Sequence, residues 1–442
     1  MTSLSNDSKL SDQKSSDQSE SNANRTLTTI AILGFGTVGR SVAKILCERR
    51  NDGLRLTHIY NRDINRKKVD WIPAHVLWTE NIEDVLRADV DVIVELMGGL
   101  NPAGDWIQRA LSSGKSVVTA NKQLIARSGP QLMELAGREK QHIAFGASVA
   151  GGVPVISGLQ EGLAGDRLSK IYGILNGTCN YILSQIENRS IPFSEALAEA
   201  QTLGFAEADA SDDVDGMDAR AKLTILTRIG LRSNVDTEEI ACGTIRIISA
   251  VDFEYARQLG CTIRQVSWAE LDGDHLYAAV RPALVKLSSP LARVEGGQNS
   301  VMATGHFGGE TVFAGHGAGG NPTAVAVVSD IIAIAGSRKG APPNIPVFPQ
   351  TSPTVTADFT TQHYLRFTIT DRPGIIATLA RILSDCGINI DSILQKPGYS
   401  KSSLPFVITL EACKTSLVER ALEQIAPLEF LVQPTINLPM LD

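Results

Sequence analysis

This chain has no long apolar run, no CxxC pair and no excess of basic charge, and each absence removes a class of function. Its most apolar stretch, Ala324 to Gly336, is interrupted by Ser329 and Asp330 and falls short of the roughly 20 residues that span a bilayer. No membrane span is expected. The six cysteines (Cys47, Cys179, Cys242, Cys261, Cys386 and Cys413) are scattered, with no zinc-type spacing against the seven histidines. That usage fits a reducing compartment, and the expected location is the cytoplasm. With a formal net charge of -7, the chain lacks the basic field that nucleic acid or an anionic membrane attracts. Small molecules are the expected partners. Residues 1–26 are rich in Ser, Asn, Asp and Gln and lack the apolar core of a signal peptide, so they read as a disordered tail.

What is present is a globular chain of 442 residues with 43% hydrophobic content, enough for two to four domains. Leu27 to Leu33 is apolar and β-branched and runs into GFGTVGRSVAKIL, which reads as strand, glycine turn and helix. Gly34, Gly36 and Gly39 form a GxGxxG there. Such glycines permit a tight turn, close approach to a pyrophosphate and close helix packing, with phosphate resting at the helix N-terminus. The motif alone is weak, but further strands are expected at Leu54 to Tyr60 and Val90 to Leu96. An NAD-specific site usually ends its second strand in an acid. Here that strand ends in Tyr60, Asn61 and Arg62, with Arg66, Lys67 and Lys68 nearby. Arginine grips a 2′-phosphate bidentately, so NADP is expected over NAD, with Asp63 blunting the preference. The third strand delivers Glu95, followed by Gly98 and Gly99, to the cofactor crevice, and SVVTANK delivers Lys122.

A strand from His142 to Ala147 precedes SVAGGVPVI, a glycine-rich loop whose carbonyls suit a hard cation or the lining of a site. The second domain mixes helices, including Phe193 to Leu203 and Asp218 to Ile229, with strands such as His275 to Val285 and the hairpin-like NSVMATGHFGGETVFAG. A helix beginning after Pro322 is expected to return to the first domain. The proline-dense APPNIPVFPQTSP reads as a linker. From Tyr364 the order strand, helix, strand, strand, helix, strand suggests a ferredoxin-like sandwich. Its turn Asp371, Arg372, Pro373, Gly374 leads straight into a helix, leaving N–H groups free for a small anionic group. The expected class is α/β: a tail at 1–26, a Rossmann-type domain at 27–150, an α+β domain at 151–315 (catalytic and dimerising by the family resemblance given below), a returning helix at 316–340, a linker at 341–361 and the sandwich at 362–442.

The segment from Ile174 to Leu226 concentrates acids around one lysine in an apolar setting. If the run after Gly216 is helical, Asp218 and Lys222 share a face. Glu207, Asp212 and Asp213 lie just before it. A lysine held among carboxylates can exchange a proton with a substrate oxygen; the competing reading is an ion pair on an exposed helix.

Taken together, GFGTVG, the VELMGG element at Val94 to Gly99, VTANK, ASVAGG, NGTCNYIL, the GFAEAD segment with DVDGMDARAK, and GAGGNPT resemble the homoserine dehydrogenase family, in its monofunctional form with a C-terminal ACT domain. The resemblance implies reversible NAD(P)H-dependent reduction of L-aspartate 4-semialdehyde to L-homoserine, in the synthesis of threonine, methionine and isoleucine. By it, Lys222 matches the acid/base lysine and Asp218 the carboxylate that orients substrate and Lys222. Glu207 matches the acid that holds the substrate amino group, and Lys122 a lysine contacting both cofactor and substrate. Asp212 and Asp213 become secondary acids near the substrate, and Thr178 a polar contact. Gly34, Phe35, Gly36, Thr37, Val38, Gly39, Arg62, Gly98, Lys122 and Gly319 fall on cofactor-binding positions. A sodium-type ion maps to the carbonyls of Val149, Gly151 and Val153 together with an acid just before ASVAGG. This chain has Gly146 there, so bound Na⁺ is expected to be weak or absent. A second departure is His316, where the family usually has proline before GAGG. The ACT segment implies feedback control, with threonine the expected effector, and a homodimer or homotetramer. Two other functions fit the same scaffold: a dehydrogenase of a different amino-acid aldehyde or hydroxy acid, and a non-catalytic metabolite sensor.

Overall fold

The computed structural model describes residues 27–49, 53–337 and 352–441. The expected tail at 1–26, residues 338–340 of the expected returning segment, and residues 341–351 of the expected linker lie outside the described residues. Among the described residues no helix is long and apolar enough to cross a membrane.

The first sheet is parallel and contains β1 (Thr28–Leu33), β2 (Leu54–Tyr60), β3 (Leu77–Thr79), β4 (Val92–Glu95), β5 (Ser116–Thr119) and β6 (Ile143–Ala144). Its order, β3-β2-β1-β4-β5-β6, reverses direction beside β1, which opens the crevice where such sheets bind dinucleotides. Helix α1 (Thr37–Glu48) follows the glycine turn and buries Gly39, Val42, Ala43 and Leu46. Those positions recur at helical spacing on one face. Helices α2 (Ala103–Ser112) and α3 (Lys122–Arg138) complete the crossovers.

Two expected strands are shorter than the sequence suggested, each for a local reason. The strand expected at Val90 to Leu96 starts at Val92, because the Asp91 carboxylate is held by the backbone N–H and hydroxyl of Thr29, each at 2.8 Å. The strand expected from His142 to Ala147 is only Ile143–Ala144 and gives way to a 3-10 turn at Gly146–Ser148. There the Gly146 N–H donates to Asp330 Oδ2 at 2.8 Å instead of to a sheet neighbour.

The second unit is built on β7 (Leu168–Ile174), with α4 (Gly177–Arg189), α5 (Phe193–Thr202), α6 (Met217–Gly230) and α7 (Ala250–Gln258) ahead of the long hairpin β8 (Cys261–Asp272) and β9 (His275–Lys286). The expected hairpin is β10 (Gln298–Gly305) paired with β11 (Gly309–His316). Helix α8 (Gly320–Gly336) begins two residues before Pro322. In a first helical turn the missing N–H of proline costs nothing. The helix packs on α1, where the Ser41 hydroxyl donates to Asn321 Oδ1 at 2.8 Å, so the chain does return to the dinucleotide unit.

Part of the expected linker is sheet. Thr354–Thr356 forms β12, running parallel to His275, Leu276 and Tyr277 of β9. The last unit then follows the expected order: β13 (Thr360–Ile369), α9 (Ile375–Asp385), β14 (Ile390–Gln395), β15 (Leu404–Lys414), α10 (Thr415–Ile425) and β16 (Ile436–Leu441). Its strand order β16-β13-β15-β14 is ferredoxin-like. It is not a detached module: β16 pairs with β9 through Leu284 and Val285, which joins it to the strands of the second unit in one 11-stranded sheet.

Candidate active site

The glycine turn lies at the carboxyl end of β1. Gly34 has φ +101, and a Cβ there would meet the Leu96 carbonyl oxygen at 2.9 Å; one at Gly39 would meet the Gly34 carbonyl oxygen at 2.1 Å. Around Gly36, by contrast, nothing lies within 4 Å of an added Cβ. Two glycines are therefore demanded by turn and packing, and the middle one faces open space where a diphosphate can approach the α1 N-terminus. Thr37 is exposed and Val38 half-buried beside it. Phe35 projects the other way, fully buried against Trp78 at 4.8 Å between ring centroids. Only its backbone is left at the turn. Arg62 is exposed after β2, while the Asp63 carboxylate is taken up by the Arg66 N–H at 3.1 Å. Gly319, with φ +120, starts α8 on the opposite side.

Glu95 does not face the crevice as expected; it is fully buried. One oxygen accepts the N–H groups of Met97 (2.7 Å) and Gly98 (3.0 Å), and the other the Thr119 hydroxyl (2.6 Å). Thr119 in turn accepts the Asn121 N–H, and the Asn121 amide donates to the Gly99 carbonyl at 2.6 Å. This network holds the Gly98–Gly99 loop and caps α3 through the Leu124 N–H. Lys122 is the first residue of that helix.

A cleft of about 1260 Å³ opens beside Lys122. At its floor Asp218 sits in the first turn of α6, only 8% exposed at its side chain, with Lys122 Nζ 2.9 Å from Oδ1 and Lys222 Nζ 2.7 Å from Oδ2. The Lys222 side chain is 13% exposed, so the reading of a surface ion pair fails. Lys222 Nζ also donates to the Leu175 carbonyl at 2.8 Å. An ammonium has three N–H donors, which leaves one for a substrate oxygen. Burial alone would push the Asp218 carboxyl up, but Lys222 and Lys122 outweigh it and hold it well below the usual carboxylate range. The same attraction to Asp218, opposed by burial, raises Lys122 above the ordinary lysine value. Lys122 is thus a fixed cation. Helices α3 and α6 are locked together by the buried Arg228, which donates to the carbonyls of Ala126 (2.5 Å) and Val235 (2.7 Å).

The other expected site residues separate into two groups. Glu207 and Asp212 are exposed along the cleft, and Gln201 fixes the Glu207 segment by its backbone carbonyl at 3.1 Å. Asp213 is half-buried with its carboxyl raised by burial, and it is joined to Asp218 through Asn176. The Thr178 hydroxyl is committed to the Phe205 carbonyl at 2.7 Å. Cys179 is fully buried, and burial together with Asp213 and Asp218 pushes its thiol well up, which suits a packing residue and not a nucleophile. His316 and Gly319 close the cleft from the far side. Asn176 went unremarked in the sequence, although an asparagine directly before a helical run is a capping signal.

Val149, Gly151 and Val153 lie on the loop where the resemblance maps a cation and where Gly146 led to the expectation of weak or no binding; the Val153 carbonyl accepts the Val155 N–H at 2.8 Å. Gly146 does not leave that region without a carboxylate. Asp330 of α8 lies against it, and a Cβ at Gly146 would come 2.8 Å from Asp330 Oδ1. Burial pushes the Asp330 carboxyl up to about 7. The carboxylate beside this loop is thus Asp330 of α8 and not a residue just before ASVAGG, and its burial favours the protonated form.

In comparison with known proteins, residues 34–146 match the NAD binding domain of homoserine dehydrogenase, residues 154–332 the family described as homoserine dehydrogenase, and residues 363–430 the ACT domain. A homoserine dehydrogenase of Synechocystis is 38% identical over 90% of this chain and 96% of its own length, and one of Bacillus subtilis is 37% identical over 83% and 87%. The crystal structure of a homoserine dehydrogenase from Thiobacillus denitrificans superposes with a TM-score of 0.87 at 31% identity, covering 94% of this chain and 98% of that one. A hyperthermophilic archaeal homoserine dehydrogenase solved in complex with NADPH has a TM-score of 0.60 at 29% identity over 70% of this chain and 97% of its own.

Proposed function

This chain belongs to the homoserine dehydrogenase family, an oxidoreductase family with a dinucleotide-binding domain, and from that premise we propose that it interconverts L-aspartate 4-semialdehyde and L-homoserine with NADP. The observation that carries the reading is Asp218 held between Lys122 and Lys222 at the floor of a cleft bounded by the Gly319 loop. A bound nicotinamide dinucleotide supplies the hydride for reduction and takes it in oxidation. Lys222 places its free N–H on the carbonyl oxygen of the semialdehyde and gives up a proton as the alkoxide forms; in the reverse direction it takes the hydroxyl proton of homoserine. Asp218 fixes the Lys222 ammonium and offsets part of the charge of the two lysines. Lys122, a permanent cation, holds negative charge on the substrate or cofactor. Glu207, exposed over the cleft, pairs with the substrate ammonium, with Asp212 and Asp213 adding negative field around it.

Gly34, Gly36, Thr37 and Val38 form the diphosphate cradle, and Gly98 and Gly319 border it. Arg62 favours the 2′-phosphate of NADP, because Asp63 is spent on capping its own turn. The ACT unit, with its turn at Asp371 to Gly374, takes an amino-acid effector, threonine in our reading, in a homodimer or homotetramer. The test is a spectrophotometric assay of homoserine oxidation at alkaline pH with NADP⁺ and with NAD⁺, repeated with added threonine. Oxidation with NADP⁺ exceeding that with NAD⁺, and inhibition by threonine, are expected. Binding of cofactor and amino acid without turnover would favour the sensor, and a preference for another hydroxy amino acid would replace the substrate.

A further inference from the structure

Asn176 joins β7 to α4 and is 3% exposed. Its Oδ1 accepts the backbone N–H of Cys179 at 2.8 Å, making it the cap of α4. A backbone N–H can only donate, so this contact fixes which end of the amide is oxygen. Nδ2 must therefore face the acids, donating to Asp213 Oδ1 at 2.6 Å and to Asp218 Oδ2 at 2.8 Å. The side chain thus uses its two N–H groups on two different carboxylates that would otherwise repel each other.

Asp218 Oδ2 is the same oxygen that accepts from Lys222. Without Asn176, each oxygen of Asp218 would be left with one lysine contact, and the carboxylate could swing between Lys122 and Lys222. We propose that Asn176 is a positioning residue for the proton-transfer pair: tying Asp218 to Asp213, it fixes the carboxylate against Lys222 and tempers the negative charge that Lys222 feels. This rests on the reading of Lys222 as the acid/base group. The charged and titratable groups around it are Asp212 and Asp213 from the turn before α6, Asp218 and Lys222 from α6, Lys122 at the start of α3, and Cys179 in α4.

Two substitutions separate this role from helix capping. Asn176→Ser keeps an oxygen for the cap and removes the amide that spans both carboxylates, since one O–H can serve at most one of them; Asn176→Asp keeps the cap and the shape but adds a third carboxylate. Homoserine oxidation passes the substrate hydroxyl proton to the Lys222–Asp218 pair, so kcat/KM should rise with pH along a limb that belongs to the coupled pair. Negative charge freed or added beside an ammonium favours the protonated form. The limb should therefore move to higher pH, by about half a pH unit in Asn176→Ser and by about one or more in Asn176→Asp. In Asn176→Ser kcat should also fall roughly 10-fold through misplacement of the pair, with a smaller change in KM for homoserine. Thermal unfolding should stay near wild type in Asn176→Ser and drop in Asn176→Ala, which loses the cap as well. A limb that keeps its pH in both capped variants overturns the proposal and leaves Asn176 as a cap; should Asn176→Asp fail to fold, Asn176→Ser alone decides. Lys222→Ala is the companion measurement. If the limb persists without Lys222, the reading of Lys222 has failed; if it vanishes there but does not move in the Asn176 variants, only the role of Asn176 has.

Discussion

Two buried aspartates in this chain have nearly the same inventory of partners and opposite outlooks. Asp218 accepts from Lys122, Lys222 and Asn176 at 2.7 to 2.9 Å, and Asp252 of α7 accepts from Arg366 Nε (2.6 Å), the Tyr364 hydroxyl (3.1 Å), and the N–H and hydroxyl of Ser249 (2.9 Å each). Asp252 is wholly enclosed between α7 and β13, with the Arg366 side chain 7% exposed. Its partners are a guanidinium, which keeps its charge, and a tyrosine hydroxyl, a serine hydroxyl and a backbone N–H that all donate to the same carboxylate. Asp218 is almost as deep, yet its cations are lysines, and one of them, Lys122, is 37% exposed to the cleft. The difference teaches that burial and pairing do not identify a reactive carboxylate. What does is a partner able to give up a proton, an unfilled donor on that partner, and space in front of it.

The largest effect that can test this contrast is removal of Lys222. In Lys222→Ala, turnover per folded molecule should fall by about 10²- to 10⁴-fold while cofactor binding stays near wild type, because the lysine acts in proton transfer. Lys222→Arg should be similarly inactive, since arginine preserves the ion pair but cannot release the proton. Steady-state assays with homoserine, set beside a cofactor titration by fluorescence, check both. Near-normal turnover in either variant would erase the distinction between the two aspartates.

The opposite signature is expected at Asp252. In Asp252→Ala, Arg366 is left buried without its carboxylate, a situation that costs about 3 to 5 kcal/mol. Urea unfolding should register that loss, while kcat per folded molecule changes little. A fall in kcat with unchanged stability would mean that this junction, and not only the cleft, belongs to the catalytic apparatus. Since β16 also ties the ACT unit to β9, the loss should appear in a single cooperative transition that includes both units.

Much of this was legible in the sequence because it depends on neighbours close along the chain. The glycine turn follows from Gly34, Gly36 and Gly39 next to an apolar strand, and the facing of Asp218 and Lys222 follows from helical spacing. The pattern of the last six elements was readable for the same reason. What was not legible depends on residues far apart. Nothing near Gly146 indicates that Asp330, 184 positions later, supplies a carboxylate beside it. Glu95 stands at the end of a strand where a crevice residue is expected, but the N–H groups of Met97 and Gly98 turn it inward. The fusion of the ACT sheet to the catalytic sheet rests on two residues of β9 meeting two of β16, a register that composition does not encode. Asp212 and Asp213 read as equals in sequence; only the fold puts Asn176 between Asp213 and Asp218 and leaves Asp212 on the rim.

The smallest effect concerns pH, and it separates the stability contributed by Asp218 from its use in catalysis. Its folded carboxyl lies below the ordinary value of 3.8, because two lysines outweigh its burial. For an acid so depressed, the unfolded chain takes up a proton first as pH falls. The ion pairs therefore contribute their full stability above pH 4, and that contribution drains away as pH falls toward the folded value. In Asp218→Asn the two ammonium groups lose their counter-charge at every pH, so the variant should be less stable than wild type at pH 7. The gap should narrow between about pH 4 and pH 2, because only the wild type is losing an ionised carboxylate there. Urea midpoints measured on both proteins across that range give the comparison directly. A gap that stays constant down to the lowest pH at which both fold would mean that Lys122 and Lys222 do not hold Asp218 ionised. The cluster would then resemble the closed junction at Asp252 more than its place in the cleft suggests.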